Sequence, residues 1–125
     1  MNVVDSSGWL EYFADGPNAS FFEPPILDLK NLIVPTLSLF EVFKRIIQQK
    51  DEGAALQAIA VMQQGNVIDL NTALAIDAAR LSVELKIPMA DSIMLATSMS
   101  FDAVLWTQDS DFTGIENVRF IIKKG

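Results

Sequence analysis

The stretch Asn2-Val3-Val4-Asp5-Ser6-Ser7 places a very short apolar run directly before an acidic residue. An apolar run of two residues is too short for an amphipathic helix, so it predicts a short buried strand. Either Ser6 or Ser7 is a suitable N-cap for a helix that continues through Phe13. A buried strand that leads at once into a helix is typical of α/β folds.

The same alternation continues along the chain. Apolar runs at 32–34, 67–70, 103–106 and 118–122 predict further strands, and the segments between them predict helices of about ten residues or more. In the helix expected over 19–29, Pro24-Pro25 should interrupt or bend the backbone. We expect Asp51-Glu52-Gly53 to separate two helices, of which the second covers 54–64. The sequence therefore predicts a three-layer α/β/α sandwich with a central, mostly parallel sheet.

Length and composition limit the domain count and the class of protein. A chain of 125 residues, 50% of them hydrophobic, is expected to form a single domain over residues 1–125. No apolar run has the length of about 18–20 residues that a membrane span needs. The first residues lack the basic and apolar regions of a signal peptide. We therefore expect a cytoplasmic protein that does not bind membranes.

The chain contains no cysteine and no histidine. This excludes disulfides, thiol nucleophiles, imidazole bases and the usual zinc sites. Chemistry must then depend on carboxylates, hydroxyls, amides and bound ions, and oxygen ligands suit hard cations such as Mg²⁺ or Mn²⁺. The formal net charge of −7 is unfavourable for binding a polyanion such as RNA without help.

Four acidic residues that are far apart in the chain each follow or lie within an apolar run: Asp5, Glu41, Asp91 and Asp109. In parallel sheets, ligands bind beyond the carboxyl ends of the strands, where Asp5, Asp109 and the nearby Asp111 are expected. Gathered carboxylates repel one another and raise some of their pKa values unless a cation lies between them. Convergence of these residues would therefore indicate a metal-dependent enzyme.

Each of these residues also has an ordinary structural interpretation. Asp5 could be a helix N-cap, and Glu41 could form an exposed ion pair with Arg45 one helical turn later. Asp91 lies in the first turn of a predicted helix, where the helix dipole favours a carboxylate. Asp109 and Asp111 could simply be turn residues. No one of these acidic residues, taken alone, indicates a metal site rather than an ordinary surface or capping position.

The ordered set of motifs is more specific. It comprises a strand that ends in Asp5-Ser6-Ser7, Glu41 within an apolar helix, Ile87-Pro88-Met89-Ala90-Asp91, and Thr107-Gln108-Asp109-Ser110-Asp111-Phe112. With these motifs the chain resembles the PIN-domain ribonucleases, and most closely the VapC toxins of bacterial toxin–antitoxin pairs. The resemblance covers nearly the whole chain. Ser92 stands where the family often has alanine, which is a conservative difference.

The resemblance implies a site for one or two Mg²⁺ or Mn²⁺ ions built by Asp5, Glu41, Asp91 and Asp109. Asp111, Ser7 and Thr107 would be accessory groups. The implied activity is endonucleolytic cleavage of RNA by a metal-activated water, which leaves a 5′-phosphate and a 3′-hydroxyl. The implied partners are a cognate antitoxin protein and a second copy of the chain in a homodimer.

Contacts to RNA and to protein partners have separate candidates. Among the nine basic residues, Lys44 and Arg45 flank Glu41 and are the best candidates for phosphate contacts. The high apolar content predicts exposed hydrophobic patches, which are typical of protein interfaces. We expect these patches on the helix after Pro35 and on the first two helices, through Trp9, Tyr12, Phe13, Phe21 and Phe22. The aromatic residues near Asp5 could instead pack in the core.

Two other classes of protein remain as alternatives. A response-regulator receiver is also a small acidic α/β domain, but it needs an acidic pair after its first strand, a phosphoacceptor Asp after its third and a lysine after its fifth. Here Asp5 is followed by Ser6, and no lysine follows the strand that ends at Trp106. The other alternative is a catalytically silent PIN-like module that only binds protein or RNA. Metal-dependent cleavage of RNA by the purified protein distinguishes it from an enzyme.

Overall fold

The computed structural model describes residues 1–124 and contains a five-stranded sheet with strand order β3-β2-β1-β4-β5. The strands are β1 (Asn2–Val4), β2 (Leu32–Pro35), β3 (Asn66–Ile68), β4 (Val104–Thr107) and β5 (Val118–Phe120). All neighbouring strands are parallel, and Val3 of β1 lies beside Ile33 of β2 and Leu105 of β4. The central parallel sheet expected from the sequence is confirmed.

Six α-helices connect these strands within the described residues. They are α1 (Ser6–Phe13), α2 (Ala19–Leu27), α3 (Thr36–Gln49), α4 (Glu52–Met62), α5 (Thr72–Leu85) and α6 (Met89–Ser100). Short 3-10 turns occupy Leu29–Asn31 and Ser110–Phe112. Helix α4 begins two residues earlier than predicted because Asp51 is its N-cap, with the side chain accepting a hydrogen bond from the Ala54 amide at 2.8 Å. Each of these helices is too short or too polar to cross a lipid bilayer.

Alternation along the strands separates the core into two layers. Val4, Leu32 and Val34 point to one face of the sheet, where they pack with buried residues of α1 to α4 such as Trp9. Successive strand residues point to opposite faces, so Val3, Ile33 and Leu105 pack on the other side with α6. A smaller cluster of Ala78, Ile93 and Ala96 joins α5 to α6. The three-layer α/β/α architecture is therefore confirmed.

Helix α2 differs from its prediction. The helix continues through Pro24 and Pro25 and ends at Leu27 rather than Leu29, which lies in the following 3-10 turn. Both prolines fall within the last four helical residues, and each removes only its own amide donor. The expectation that they interrupt the helix is wrong, since the helix continues for two residues beyond Pro25.

Gly8 in α1 permits a close approach between α1, α2 and the sheet. A Cβ atom at this position would lie 2.5 Å from Phe22 Cε1 and 2.8 Å from Val4 Cγ1. Trp9 and Phe22 are both completely buried around this contact. They therefore belong to the core, and the prediction that they contribute to an exposed partner surface is wrong.

The order in which strands are added to the sheet changes direction at β1. The chain leaves β1 and builds β2 and β3 on one side, and it returns through α5 and α6 to place β4 on the other side. A receiver domain has the order 2-1-3-4-5, in which β1 lies between β2 and β3. Here β1 lies between β2 and β4, so the receiver interpretation is wrong. The crevice for a ligand is expected at the carboxyl ends of β1 and β4.

Candidate functional site

Asp5 is a buried carboxylate at the end of β1, and three groups hold its two oxygens. Its Oδ1 accepts a hydrogen bond from the Ser6 amide at 2.8 Å. Its Oδ2 accepts from the Ser7 hydroxyl and from the Thr107 hydroxyl, both at 2.9 Å. Asp5 is thus the N-cap of α1, where the sequence favoured Ser6 or Ser7, and it also faces the crevice.

The pKa of Asp5 is raised to about 6. Burial is the largest cause because it disfavours the charged carboxylate, and the nearby charge of Asp109 acts in the same direction. The hydrogen bonds from Ser7, Thr107 and the Ser6 amide oppose this shift since they stabilise the charged form. Asp5 is therefore held rigidly in an environment that favours a compensating positive charge.

Thr107 joins the two strands at the site. Its hydroxyl donates to Asp5 and accepts a hydrogen bond from the Asp109 amide at 2.9 Å. Asp109 in turn accepts from the Asp111 amide through Oδ1 at 2.9 Å. A single buried hydroxyl thus fixes the loop after β4 relative to the carboxylate after β1.

Three carboxylates from two elements meet beside this link. One oxygen each from Asp91, Asp109 and Asp111 lie within 4.8 Å of one another. Asp91 comes from the first turn of α6, whereas Asp109 and Asp111 come from the loop after β4. We name these three residues the acidic triplet.

The pKa of Asp91 is raised from 3.8 to about 8. Burial is the largest cause, a hydrogen bond with Asp111 is the second, and the charges of Asp109, Asp5 and Asp111 add to them. Since the charge of Asp5 contributes to this shift, Asp5 lies close to the triplet without belonging to it. Without a cation, Asp91 holds its proton at neutral pH.

This donor set fits a hard divalent cation. All available ligand atoms are carboxylate or hydroxyl oxygens, which Mg²⁺ and Mn²⁺ prefer. The triplet contains half-buried Asp91 and Asp109 and exposed Asp111, so one side is open to solvent and substrate. The mutual repulsion that raises the pKa of Asp91 is relieved when a cation binds between the carboxylates.

Glu41 of α3 contacts the residue that follows Asp5. Its Oε1 accepts a hydrogen bond from the Ser6 hydroxyl at 2.6 Å, while the Ser6 amide bonds to Asp5. Glu41 therefore connects to the site through Ser6 and lies outside the acidic triplet. Within residues 1–124 the single ion pair is Arg80–Asp77, so the interpretation of Glu41 as an ion-pair partner of Arg45 is wrong.

Two polar residues around the site were not assigned there from the sequence. Ser6 was considered only as a helix cap, yet it bridges Asp5 and Glu41. Gln108 is buried and donates to the Ser7 carbonyl at 3.3 Å, and it accepts from Asn18 Nδ2 at 3.0 Å. In the sequence, only the position of Gln108 between Thr107 and Asp109 could have predicted that it lies near the site.

Lys44 and Arg45 are exposed on α3 near Glu41. With Phe40, Glu41 and Gln48 they line a shallow depression of about 230 Å³. The structure thus places both predicted phosphate-contact residues on a surface that reaches the site through Glu41.

Comparison with solved structures shows how widely this fold occurs. A chain of a toxin–antitoxin complex from Klebsiella pneumoniae matches with a TM-score of 0.81 at 20% identity, covering 95% of this chain and 96% of that one. VapC20 of Mycobacterium tuberculosis, described as a sarcin–ricin loop cleaving toxin, matches with a TM-score of 0.77 at 19% identity, covering 95% and 99%. DNA-bound VapBC from Salmonella typhimurium matches with a TM-score of 0.78 at 16% identity, covering 97% and 96%. At these identities the similarity establishes the fold.

Sequence comparison defines the family. A search of curated protein sequences found no significant match. The profile of the PIN domain family matches residues 3–118, a segment that includes Asp5, Glu41, Asp91, Asp109 and all of the sheet except Asn2, Arg119 and Phe120. The chain therefore belongs to the PIN domain family.

Proposed function

We propose that this protein is a metal-dependent endoribonuclease and the toxin of a toxin–antitoxin pair. The observation that carries the proposal is the convergence of the acidic triplet with Asp5 at the carboxyl ends of β1 and β4. The structural similarity to VapC20, described as a toxin that cleaves the sarcin–ricin loop, supports RNA as the substrate. Within this proposal the chain is a single cytoplasmic domain.

The ion-binding residues in this proposal are Asp5, Glu41, Asp91 and Asp109, for one or two Mg²⁺ or Mn²⁺ ions. Asp111 is an accessory group that completes the triplet. When bound, such an ion polarises the scissile phosphate and lowers the pKa of a water molecule for in-line attack. This cleavage leaves a 5′-phosphate and a 3′-hydroxyl.

The hydroxyl groups around Asp5 are positioning groups. Ser7 and Thr107 hold one carboxylate oxygen of Asp5 from two sides, and Thr107 also fixes the backbone of Asp109. These hydrogen bonds restrict rotation of the Asp5 carboxylate. This rigidity keeps the carboxylate oriented before any ion or RNA arrives.

The Asp91 carboxyl releases a proton to solvent when the site binds an ion. With a pKa raised to about 8, Asp91 is protonated at neutral pH and shares a hydrogen bond with Asp111. Ion binding requires the deprotonated carboxylate, so loading releases this proton. The activity should therefore increase with pH over the range in which ion binding displaces the Asp91 proton to solvent.

Phosphate contacts are assigned to Lys44 and Arg45. Both side chains are exposed and neither forms an ion pair within the described residues. They supply positive charge next to the site in a chain whose net charge is −7.

The proposed partner is an antitoxin that binds a groove between α1, α3 and α4. The groove has a volume of about 310 Å³, and its apolar lining includes Leu10, Phe13, Ile46 and Val61. An amphipathic segment is the kind of ligand that fits such a groove. Two of the structural neighbours are toxin–antitoxin assemblies, which supports this assignment.

The homodimer is proposed to form through α5 and the end of α6. Val83 is 81% exposed, Met99 60% and Ile76 49%, so this side of the protein presents several large apolar side chains to solvent. Such patches are typical of association surfaces.

The decisive experiment is cleavage of RNA by purified protein, with Mg²⁺ or Mn²⁺ and with EDTA. Asp5→Asn and Asp91→Asn should abolish cleavage and weaken the increase in melting temperature that the ions produce. Asp69→Asn, which changes an exposed carboxylate on another part of the chain, is the matched control. If Asp5→Asn cleaves RNA as well as the wild type, Asp5 is only a helix cap. If no condition gives cleavage but RNA or a protein partner binds, the chain is the catalytically silent module.

A further inference from the structure

Phe40 is an exposed aromatic side chain on the surface beside the site. It is 61% exposed, whereas Phe101, the other exposed aromatic residue among residues 1–124, is 36% exposed. The remaining aromatic side chains of the described chain are buried or half-buried. Exposure of a phenylalanine costs free energy in water, so the position of Phe40 calls for an explanation.

Two unpaired cations accompany this ring. The Lys44 ammonium lies 5.8 Å from the centroid of Phe40, and Arg45 follows on the adjacent ridge of α3. Neither cation forms an ion pair within residues 1–124, although the sequence contains 16 acidic residues and only nine basic ones. Positive charge is thus placed next to the aromatic ring in a chain that has only nine basic residues.

This surface is continuous with the site. Glu41 lines the same depression as Phe40, Lys44 and Arg45, and it also accepts the hydrogen bond from the Ser6 hydroxyl. Ser6 is in turn bonded to Asp5 through its amide. A chain of direct contacts therefore leads from the depression to Asp5.

We propose that Phe40, Lys44 and Arg45 form a platform for single-stranded RNA. The proposal rests on the nuclease function proposed above. An unpaired base stacks on the Phe40 ring, and Lys44 and Arg45 contact the flanking phosphates. Base stacking on an aromatic ring combined with cations along the backbone is how proteins hold single strands without reading sequence. Duplex RNA cannot offer a base face to Phe40, so the platform selects unpaired segments.

The charge of the surface favours RNA over a protein ligand. Two free cations complement a phosphodiester chain, and they lie at the edge of an acidic site that otherwise repels it. An apolar protein segment has a better location in the groove between α1, α3 and α4, whose lining is mainly apolar. The two surfaces are therefore assigned to different ligands.

The test is fluorescence anisotropy with a labelled single-stranded oligoribonucleotide of about 12 nucleotides, a length within the usual site size. The same strand paired with its complement is the second probe. Binding is measured with Mg²⁺ in the Asp5→Asn background to prevent cleavage, and cleavage by the otherwise wild-type protein is measured in parallel. Phe40→Ala should weaken single-strand binding by about tenfold and should raise KM more than it lowers kcat. Its effect on duplex binding should be much smaller.

Further variants separate stacking from charge and from folding. Phe40→Trp should keep the Kd within about twofold, since any aromatic face can stack a base. Lys44→Gln and Arg45→Gln should each reduce the slope of log K against log salt by about 0.7, the value for one lost phosphate contact on a single strand. Phe101→Ala, an exposed aromatic position at the other end of α6 from Asp91, should bind RNA as the parent does.

The outcomes distinguish this proposal from the nuclease function. If Phe40→Ala and the parent bind the single strand equally, the platform is refuted even when RNA is cleaved. If the wild type cleaves nothing but Phe40→Ala still weakens binding, the platform stands and the nuclease function fails. If Phe40→Ala leaves RNA binding intact but prevents co-purification of a protein partner, the surface is a protein interface and the proposal is overturned. Failure of the parent to bind RNA at all also overturns it.

Discussion

Replacing Asp91 by asparagine should change how the stability of the metal-free protein depends on pH. In the folded protein the pKa of Asp91 is raised from 3.8 to about 8, chiefly by burial, then by the hydrogen bond with Asp111 and by neighbouring charges. The native state therefore binds this proton more tightly than the unfolded state does. Its stabilising contribution is complete below about pH 4 and is lost as the pH rises through about 8.

The magnitude follows from the size of the shift. About four pKa units at about 1.4 kcal/mol each give a ceiling of about 6 kcal/mol. Asp91 is only half-buried, so solvent screening lowers the expected effect to about 2 kcal/mol. The substituted asparagine side chain would be neutral throughout and could keep a hydrogen bond to Asp111. Relative to the wild type, the free energy of unfolding of Asp91→Asn should thus increase by about 2 kcal/mol between pH 5 and pH 9.

Urea denaturation in EDTA at several pH values measures this difference. Asp69→Asn, an exposed carboxylate change, should follow the wild-type profile. Addition of Mg²⁺ at pH 8 should stabilise the wild type and the control. It should stabilise Asp91→Asn much less, because this variant lacks one of the carboxylates proposed to bind the ion. Parallel pH profiles for the wild type and Asp91→Asn would show that burial and the neighbouring carboxylates do not raise the pKa of Asp91 as described.

Three further substitutions test other parts of the structure. Gly8→Ala should destabilise the protein by about 1–3 kcal/mol in urea denaturation, because the new methyl group overlaps Phe22, and an unchanged midpoint would refute the close packing. Thr107→Val should lower RNA cleavage by about 10–100-fold, since it removes the hydroxyl that orients Asp5, and wild-type activity would show that this link is dispensable. Val83→Glu should convert the proposed homodimer to a monomer in light scattering, and a persistent dimer would assign the interface to another surface.

The strands and layers were predictable because their signals are local. Each strand is an apolar run that ends at a turn or cap, and alternation along Val3 and Val4 suffices to place side chains on opposite faces. Helix α2 was mispredicted because the effect of proline depends on where the helix ends, which here is two residues after Pro25. A sequence pattern does not contain that information.

The site could be predicted from the sequence only in part, for a similar reason. Asp91, Asp109 and Asp111 were identified from their positions at the ends of predicted elements, and the structure brings them together. The role of Ser6 was missed because its partner Glu41 is 35 positions away, so no local pattern links them. The ion pair expected between Glu41 and Arg45 relied on spacing within one helix, whereas a tertiary hydrogen bond determines where Glu41 points.

Asp5 both caps α1 and belongs to the site, and this constrains how the protein can lose its activity by mutation. Most replacements of Asp5 would remove the acceptor for the Ser6 amide as well as the charge, at a cost of about 1 kcal/mol for the lost cap. Asparagine and serine keep a capping oxygen, so they should inactivate the protein with the least loss of folded material. If expression of the proposed toxin is used to select surviving cells, survivors that still accumulate the full-length protein should often carry Asn or Ser at position 5. Survivors that carry an apolar residue at position 5 should accumulate little of the protein.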